Sequence, residues 1–125
     1  MLLDTNGLSA IADGDPALEL ILRSAPEVAV PVIVLGEYRY GIRESHERQR
    51  YESWLEEAVQ NYRVLDIDQG TAISYASVRK QLKRAGTPIP TNDVWIAALC
   101  RQHSLAILSR DRHFDVVPGI ERIDW

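Results

Sequence analysis

The sequence has little of what small zinc-binding, disulfide-stabilised or membrane proteins depend on. Its single cysteine, Cys100, can form no internal disulfide bond, and its three histidines show no zinc-binding spacing. No run approaches the roughly 18 apolar residues of a membrane-spanning helix. The first residues lack the basic and apolar regions of a secretion signal. These absences lead us to expect a protein of a reducing compartment, the cytoplasm.

Charge of positive sign is also scarce. The 125 residues include 14 basic and 18 acidic side chains, for a net charge of −4. This balance argues weakly against binding to nucleic acid, whose phosphates need local positive charge. If four carboxylates held a divalent metal, however, 14 basic and 14 acidic residues (18 − 4) would remain. The length suits one domain with a real core, which we predict over residues 1–125.

Short apolar runs alternate with longer helical patterns along the whole chain. The predicted strands are Met1–Leu3, Val28–Val30, Arg63–Ile67, Leu105–Leu108 and an edge strand within Ile120–Trp125. The predicted helices are Thr5–Ala12, Pro16 to about Ala25, Pro31–Arg43, Ser45–Tyr62, Asp68–Ala85 and Thr91–His103. This alternation predicts an α/β sandwich with a mainly parallel sheet of four or five strands and helices on both faces.

The first strand ends abruptly in Asp4. A brief apolar run with no polar residue is typical of a buried central strand in a parallel sheet. Its last residue would point into the crevice at the carboxyl end of the sheet, where ligands of open α/β folds bind. A carboxylate in that position is costly unless a cation or hydrogen-bond donor meets it.

Four acids stand at element ends or on apolar helices: Asp4, Glu37, Asp93 and Asp111. Each has an ordinary explanation. Asp4 and Asp111 are able to cap the structure that follows them, Asp93 to complement a helix dipole, and Glu37 to lie at a solvated helix margin. If the four converge, their mutual repulsion needs a neutralising ion, and oxygen-only ligands favour Mg²⁺ or Mn²⁺.

Uncharged polar residues lie beside these acids in the sequence. They are Thr5, Asn6, Asn92 and Ser109. Such side chains orient carboxylates or hold water in metal sites, although a surface cap explains Thr5 and Asn92 equally well.

Taken in order, four segments make the chain similar to the PIN-domain ribonucleases, and within them to the VapC toxins of bacterial toxin–antitoxin pairs. The segments are Leu3-Asp4-Thr5-Asn6, Leu35-Gly36-Glu37-Tyr38-Arg39-Tyr40-Gly41, Asn92-Asp93-Val94-Trp95-Ile96-Ala97-Ala98 and Ser109-Arg110-Asp111-Arg112-His113-Phe114. Each is weak alone, but all four occur in order over nearly the whole chain.

The resemblance implies a three-layer α/β/α fold and Mg²⁺- or Mn²⁺-dependent hydrolysis of tRNA, rRNA or mRNA. It also implies a homodimer inhibited by a cognate VapB-like antitoxin. The implied catalytic acids are Asp4, Glu37, Asp93 and Asp111. Asp4 and Asp93 are the first metal ligands, and Asp115 is an alternative to Asp111 as the fourth acid.

Basic residues suited to RNA fall in two places. Arg110 and Arg112 flank Asp111, and a second group lies on one helix face. The second group is Arg79, Lys80, Lys83 and Arg84. Arginines beside a metal site are the better candidates for phosphate contacts, whereas a basic helix face is often only solvated. We expect Arg39 or Arg43 to pair with Glu37 or receive an antitoxin residue, and His113 to pack or cap beside Phe114.

Two other functions compete with hydrolysis of RNA. A phosphate-accepting receiver domain needs a lysine after the fourth strand, and both lysines precede it, at positions 80 and 83. A PIN-like module that binds RNA or protein without cutting remains the alternative, against which the presence of all four acids counts.

Overall fold

The computed structural model describes all residues from 1 to 125 and contains a five-stranded, wholly parallel sheet. The strand order is β3-β2-β1-β4-β5. The strands are β1 (Leu2–Leu3), β2 (Ala29–Pro31), β3 (Arg63–Leu65), β4 (Ile107–Leu108) and β5 (Arg122–Ile123). The predictions of a parallel sheet, of a central first strand and of a last edge strand are confirmed.

Six helices complete the three-layer α/β/α sandwich. They are α1 (Thr5–Ala12), α2 (Pro16–Ser24), α3 (Val32–Gly41), α4 (Arg48–Ala58), α5 (Gln69–Ala85) and α6 (Thr91–His103). Short 3₁₀ turns follow at Val59–Asn61 and Arg112–Val116. Helix α1 contacts α2, α3 and α4, whereas α5 packs along α6. No helix is both long enough and apolar enough to cross a lipid bilayer.

Some predicted boundaries were wrong by a few residues. Pro31 is the last residue of β2, because its extended backbone continues the strand and its missing N–H fits the position before a helix. Helix α4 begins at Arg48 rather than Ser45, because the Ser45 hydroxyl accepts a hydrogen bond from the Glu47 N–H in a preceding turn. Strand β4 begins at Ile107, two residues after the predicted start at Leu105.

Local sequence explains several helix ends. The Asp15 side chain caps α2 by accepting a hydrogen bond from the Ala17 N–H. Asp68 and Thr71 form a reciprocal capping box at the start of α5. Gly86 ends α5 in the left-handed conformation, with φ 69°, which glycine adopts without steric cost.

The core surrounds the central strands, and helix α6 contributes more buried residues to it than any other helix. The side chains of β1 and β4 are fully buried, and so are nearly all residues of α6 from Val94 to Cys100. Burial raises the pKa of the Cys100 thiol to about 12, so this cysteine is a packing residue with no reactive thiolate at neutral pH.

The α5–α6 pair decides where the start of α6 lies. Thr71, in the first turn of α5, donates a hydrogen bond to Gln102 near the end of α6, so the two helices run antiparallel. The Gly86–Pro90 loop then turns the chain back. This reversal brings the first turn of α6, with Asn92 and Asp93, to the carboxyl edge of the sheet beside α3.

Helix α1 approaches the sheet closely at Gly7. A Cβ atom at this position would lie 3.1 Å from the Leu108 backbone oxygen, whereas one at Gly36 in α3 would meet nothing within 4 Å. The missing side chain therefore allows the first turn of α1 to lie directly against the end of β4.

This contrast gives a matched pair of variants. We expect Gly36→Ala to raise the free energy of unfolding by about 0.5–1 kcal/mol, because alanine loses less backbone entropy in a helix. Gly7→Ala should forfeit that gain and destabilise the protein, because backbone atoms of β4 must move. Urea denaturation measures both, and a Gly7→Ala variant as stable as Gly36→Ala would contradict the close-approach argument.

Candidate active site

Asp4 lies at the carboxyl end of the central strand and is only 5% exposed. Its carboxylate accepts hydrogen bonds from the Thr5 N–H at 2.8 Å, the Ser109 hydroxyl at 2.7 Å and the Asn6 amide at 3.2 Å. Asp4 can therefore cap α1 and also belong to a ligand site, because one of its oxygens caps the helix while the other accepts a hydrogen bond from Ser109. Three donors from two chain segments hold this carboxylate in one orientation.

Glu37 comes from α3 and is held by two of the uncharged residues. Its carboxylate accepts hydrogen bonds from the Thr5 hydroxyl and from the Asn92 amide, the latter at 3.0 Å. Thr5 thus contacts Asp4 through its backbone and Glu37 through its side chain. Neither Arg39 nor Arg43 lies within ion-pair distance of Glu37, so of the two alternatives for these arginines the pairing with Glu37 is wrong. The alternative that either arginine receives an antitoxin residue stays a prediction.

Asp93 and Asp111 meet at the imidazole of His113. The His113 Nδ1 atom lies 3.0 Å from Asp93 Oδ2 and 3.1 Å from Asp111 Oδ1. Possible ligand atoms of all three residues lie within 4.8 Å of one another. Asp111 also accepts a hydrogen bond from the His113 N–H and so caps the 3₁₀ turn.

The expectation that His113 packs or caps beside Phe114 is wrong. Phe114 is buried, while the His113 side chain is half exposed and turned to the two acids. The sequence feature that could have predicted this contact is the spacing of two residues between Asp111 and His113. In a tight turn, a side chain at this spacing lies close to the residue that begins the turn.

Ser109 connects the two groups of acids. Its hydroxyl donates to Asp4 and accepts hydrogen bonds from the Asp111 N–H at 3.0 Å and the Asn6 amide at 3.3 Å. The structure therefore brings Asp4 and Glu37 together through Thr5, and Asp93 and Asp111 together through His113. One buried hydroxyl joins the two groups.

Burial and mutual repulsion raise the pKa of two of these carboxyls. Burial is the main cause for Asp4, with smaller contributions from the charges of Glu37 and Asp111, while the Ser109 hydrogen bond opposes the shift. Burial also raises the pKa of Asp93, to which the charges of Asp4 and Asp111 add. Both carboxyls are therefore harder to ionise than an exposed aspartate.

His113 supplies the only cationic side chain within 4.0 Å of these four acids. The hydrogen bond to Asp93, followed by the charge of Asp111, raises the pKa of His113. One imidazolium cannot balance four carboxylates. An oxygen-rich donor set with this charge deficit fits a hard divalent cation and does not fit zinc, which favours cysteine and histidine ligands.

Asp115 lies apart from this cluster. Its carboxylate forms a bidentate pair with Arg122, at 2.7 and 3.1 Å, which lowers the pKa of Asp115. A carboxylate whose two oxygens are both engaged by a guanidinium has little capacity left for a metal ion. The geometry favours Asp111 over Asp115 as the fourth acid.

The basic candidates differ in whether another side chain already contacts them. Arg110 turns toward the Trp125 ring, at 4.5 Å, and lies 3.9 Å from Asp15. Arg79 donates to the Tyr75 hydroxyl at 2.7 Å. Arg112, Lys80 and Lys83 are exposed and lie in no ion pair, so their charges are available to a polyanion.

The raised pKa of Asp4 makes a signed prediction for the metal-free protein. The pKa of Asp4 is higher in the folded protein than its usual 3.8. The folded protein therefore loses stability as the pH rises from 3.8 to the folded-state pKa of Asp4. We expect Asp4→Asn to gain stability relative to the unaltered protein as the pH rises from 3.8 through the folded-state pKa of Asp4. The measurement is the urea midpoint of both proteins in buffers that contain a metal chelator. A constant difference between the two proteins across this interval would contradict the prediction.

Comparison with known proteins agrees with this geometry. The PIN domain family model matches residues 1–120. Ribonuclease VapC4 of Mycobacterium tuberculosis is 31% identical over 78% of this chain and 76% of its own length. The tRNA(fMet)-specific endonuclease VapC of Salmonella typhimurium is also 31% identical, over 78% of this chain and 75% of its own.

A solved structure shows the same fold over nearly the full length. It is the DNA-bound VapBC complex from Salmonella typhimurium, in which the matching chain is 29% identical with a TM-score of 0.87. The match covers 99% of this chain and 96% of that one. The chain belongs to the PIN domain family, and within it to the VapC-like, metal-dependent ribonuclease toxins of toxin–antitoxin pairs.

Proposed function

We propose that Asp4, Glu37, Asp93 and Asp111 hold Mg²⁺ or Mn²⁺ and that the chain uses them to hydrolyse a phosphodiester bond of cellular RNA. The observation that carries this proposal is the convergence of four acids at one edge of the sheet with a single imidazole to offset them. When bound, the cation would lower the pKa of a water molecule and neutralise charge on the phosphate.

The uncharged residues keep the acids oriented for that ion. Ser109, Asn6 and the Thr5 backbone hold Asp4, while the Thr5 hydroxyl and Asn92 hold Glu37. These bonds reduce the reorganisation that ion binding would otherwise require. The hydrogen bond to Asp93 and the charge of Asp111 raise the pKa of His113, and its imidazole offsets part of the repulsion between these two acids when it carries a proton.

The substrate we propose is RNA, with tRNA as the first candidate. Relatives from Salmonella typhimurium and Shigella flexneri carry the name tRNA(fMet)-specific endonuclease. Exposed cations suited to phosphate contacts lie next to the acids and along α5. In order of expected contribution they are Arg112 and Arg110, then Arg79, Lys80 and Lys83.

The partner we propose is a cognate VapB-like antitoxin, acting on a homodimer of this single-domain chain. Several matching structures are toxin–antitoxin complexes, including FitAB bound to DNA and VapBC-5 from Mycobacterium tuberculosis. The buried, unreactive Cys100 suits the cytoplasm, where cellular RNA is present.

The two possible fourth acids form a matched test. We expect Asp111→Asn to lower the rate of tRNA cleavage in Mn²⁺ by at least about 10²-fold, since loss of even an outer partner of a metal site costs about 10–100-fold. Asp115→Asn should stay within a few-fold of the unaltered enzyme, because its partner is Arg122. Asp4→Asn serves as the inactive reference, and undiminished cleavage by a clean preparation of that variant would refute the proposed site.

Growth provides a second test, of the toxin assignment. Inducing the chain without its neighbouring gene should arrest growth, because uncontrolled cleavage of RNA stops translation. Asp4→Asn should not arrest growth at equal protein level, and co-expression of the antitoxin should restore growth with the unaltered chain. Normal growth with abundant, folded, unaltered protein would count against the toxin function.

A further inference from the structure

A cavity of about 260 Å³ opens beside the acid cluster, between α1, α3 and the start of α4. Thr5 and Glu37 belong to both its wall and the acid cluster, so the two spaces are continuous. The remaining polar wall consists of Ser9, Asp13, Tyr38, Ser45 and Tyr51. Its volume is near the lower end of about 300 Å³ for small-molecule pockets, which suits one small planar group.

Tyr38 is the unusual residue of this wall. Its side chain is 3% exposed and its hydroxyl has no hydrogen-bond partner. Burial raises the pKa of Tyr38 to about 12, so the group is a neutral hydroxyl at physiological pH. Buried hydroxyls nearly always have partners, because an unpaired one costs stability. The wall of this cavity therefore holds an enclosed hydroxyl whose hydrogen-bonding capacity is unused.

Asp13 is the second polar anchor. It follows α1, accepts a hydrogen bond from the Tyr51 hydroxyl at 2.7 Å and has no cationic partner. One of its oxygens is therefore engaged and the other is available. Arg50 lies 4.7 Å from the centre of the Tyr51 ring, which places one positive charge at the same rim.

We infer that this cavity is a base-recognition subsite, which takes one unstacked RNA nucleobase next to the cleaved phosphate and reads it through Asp13 and Tyr38. The inference rests on the proposed ribonuclease function. A carboxylate accepts N–H donors and repels phosphate, so the cavity suits a base edge rather than the backbone. Proteins that read RNA sequence commonly bind splayed bases by such edge contacts.

The available Asp13 oxygen specifies the kind of base. Cytosine, adenine and guanine carry an exocyclic amino group that donates to a carboxylate. Uracil has carbonyl oxygens in place of this group, and its one donor, the ring N3–H, lies between two carbonyls that repel a carboxylate. The subsite should therefore favour amino-bearing bases over uracil at one position beside the cut. An arginine of the antitoxin is the competing occupant, but the continuity of the cavity with the acids favours the substrate.

Asp13→Asn tests this inference with little change of shape. A pool of randomised RNA oligonucleotides is cleaved in Mn²⁺ and the products are sequenced, for the unaltered enzyme and the variant. We expect the unaltered enzyme to disfavour uracil at one position beside the cut by about 10-fold or more, which corresponds to one good base-edge contact. The variant should lose this preference while retaining its Mn²⁺ affinity, measured by calorimetry.

Tyr38→Phe is an independent variant of the same subsite. Removing an unpaired buried hydroxyl should raise the urea midpoint, and removing a base contact should lower kcat/KM on favoured sequences several-fold. Glu56→Gln is the charge-matched control for Asp13→Asn, because Glu56 is exposed on α4 and makes no hydrogen bond or ion pair. It should keep the unaltered sequence preference.

The outcomes separate the two levels of proposal. If the unaltered enzyme cleaves RNA and Asp13→Asn keeps the same base preference, the subsite is refuted while the ribonuclease function stands. The same holds if both variants change only the affinity for the co-expressed antitoxin. If the unaltered enzyme cleaves no RNA, the proposed function fails and the subsite fails with it.

Discussion

The carboxylate of Asp4 is buried at the end of the central strand, and much of the surrounding structure compensates for that burial. A carboxylate removed from water needs donors or positive charge. Asp4 receives three donors, from Thr5, Asn6 and Ser109, but no cation. Burial still raises the pKa of Asp4, although the Ser109 and Thr5 hydrogen bonds oppose the shift. The proposed cation would supply the positive charge that no side chain gives this carboxylate.

Parallel strand pairing explains why the acids share one edge. β1 pairs directly with β4, in the register Leu3 to Leu108, so the residues that follow each strand emerge side by side. That register places Asp4 next to Ser109 and, through Ser109, next to Asp111. The Leu108 backbone oxygen also faces Gly7, which allows α1 to start close to β4. A one-residue change of register would turn these side chains to the opposite faces of the sheet.

The acid cluster and the adjoining cavity share polar side chains. Thr5 holds Glu37 with its hydroxyl and lines the cavity with the same side chain. Tyr38, one residue after Glu37 on α3, contributes an unpaired hydroxyl to that cavity. Unpaired or under-compensated polar groups reduce folding stability, and they persist at functional sites because a ligand completes them. Two of the proposed metal ligands, Asp4 and Glu37, thus share α1 and α3 with the two proposed base contacts, Asp13 and Tyr38.

The sequence alone determined the alternation of strands and helices and the buried first strand, because periodicity is a local property. It also singled out Asp4, Glu37, Asp93 and Asp111 as candidate acids, with Asp115 left as an alternative to Asp111. It also determined where α1 and α5 begin and where α5 ends, at the Asp4 cap, the Asp68 cap and Gly86. Only the tertiary structure decided that Asp93 and Asp111 both contact His113 and that Asp115 pairs with Arg122. It also decided that neither Arg39 nor Arg43 forms an ion pair with Glu37. These contacts depend on the reversal of the chain between α5 and α6 and on the pairing of β1 with β4. Residues far apart in the sequence then come within hydrogen-bond distance of one another. The spacing of residues along the chain does not predict which of these contacts form.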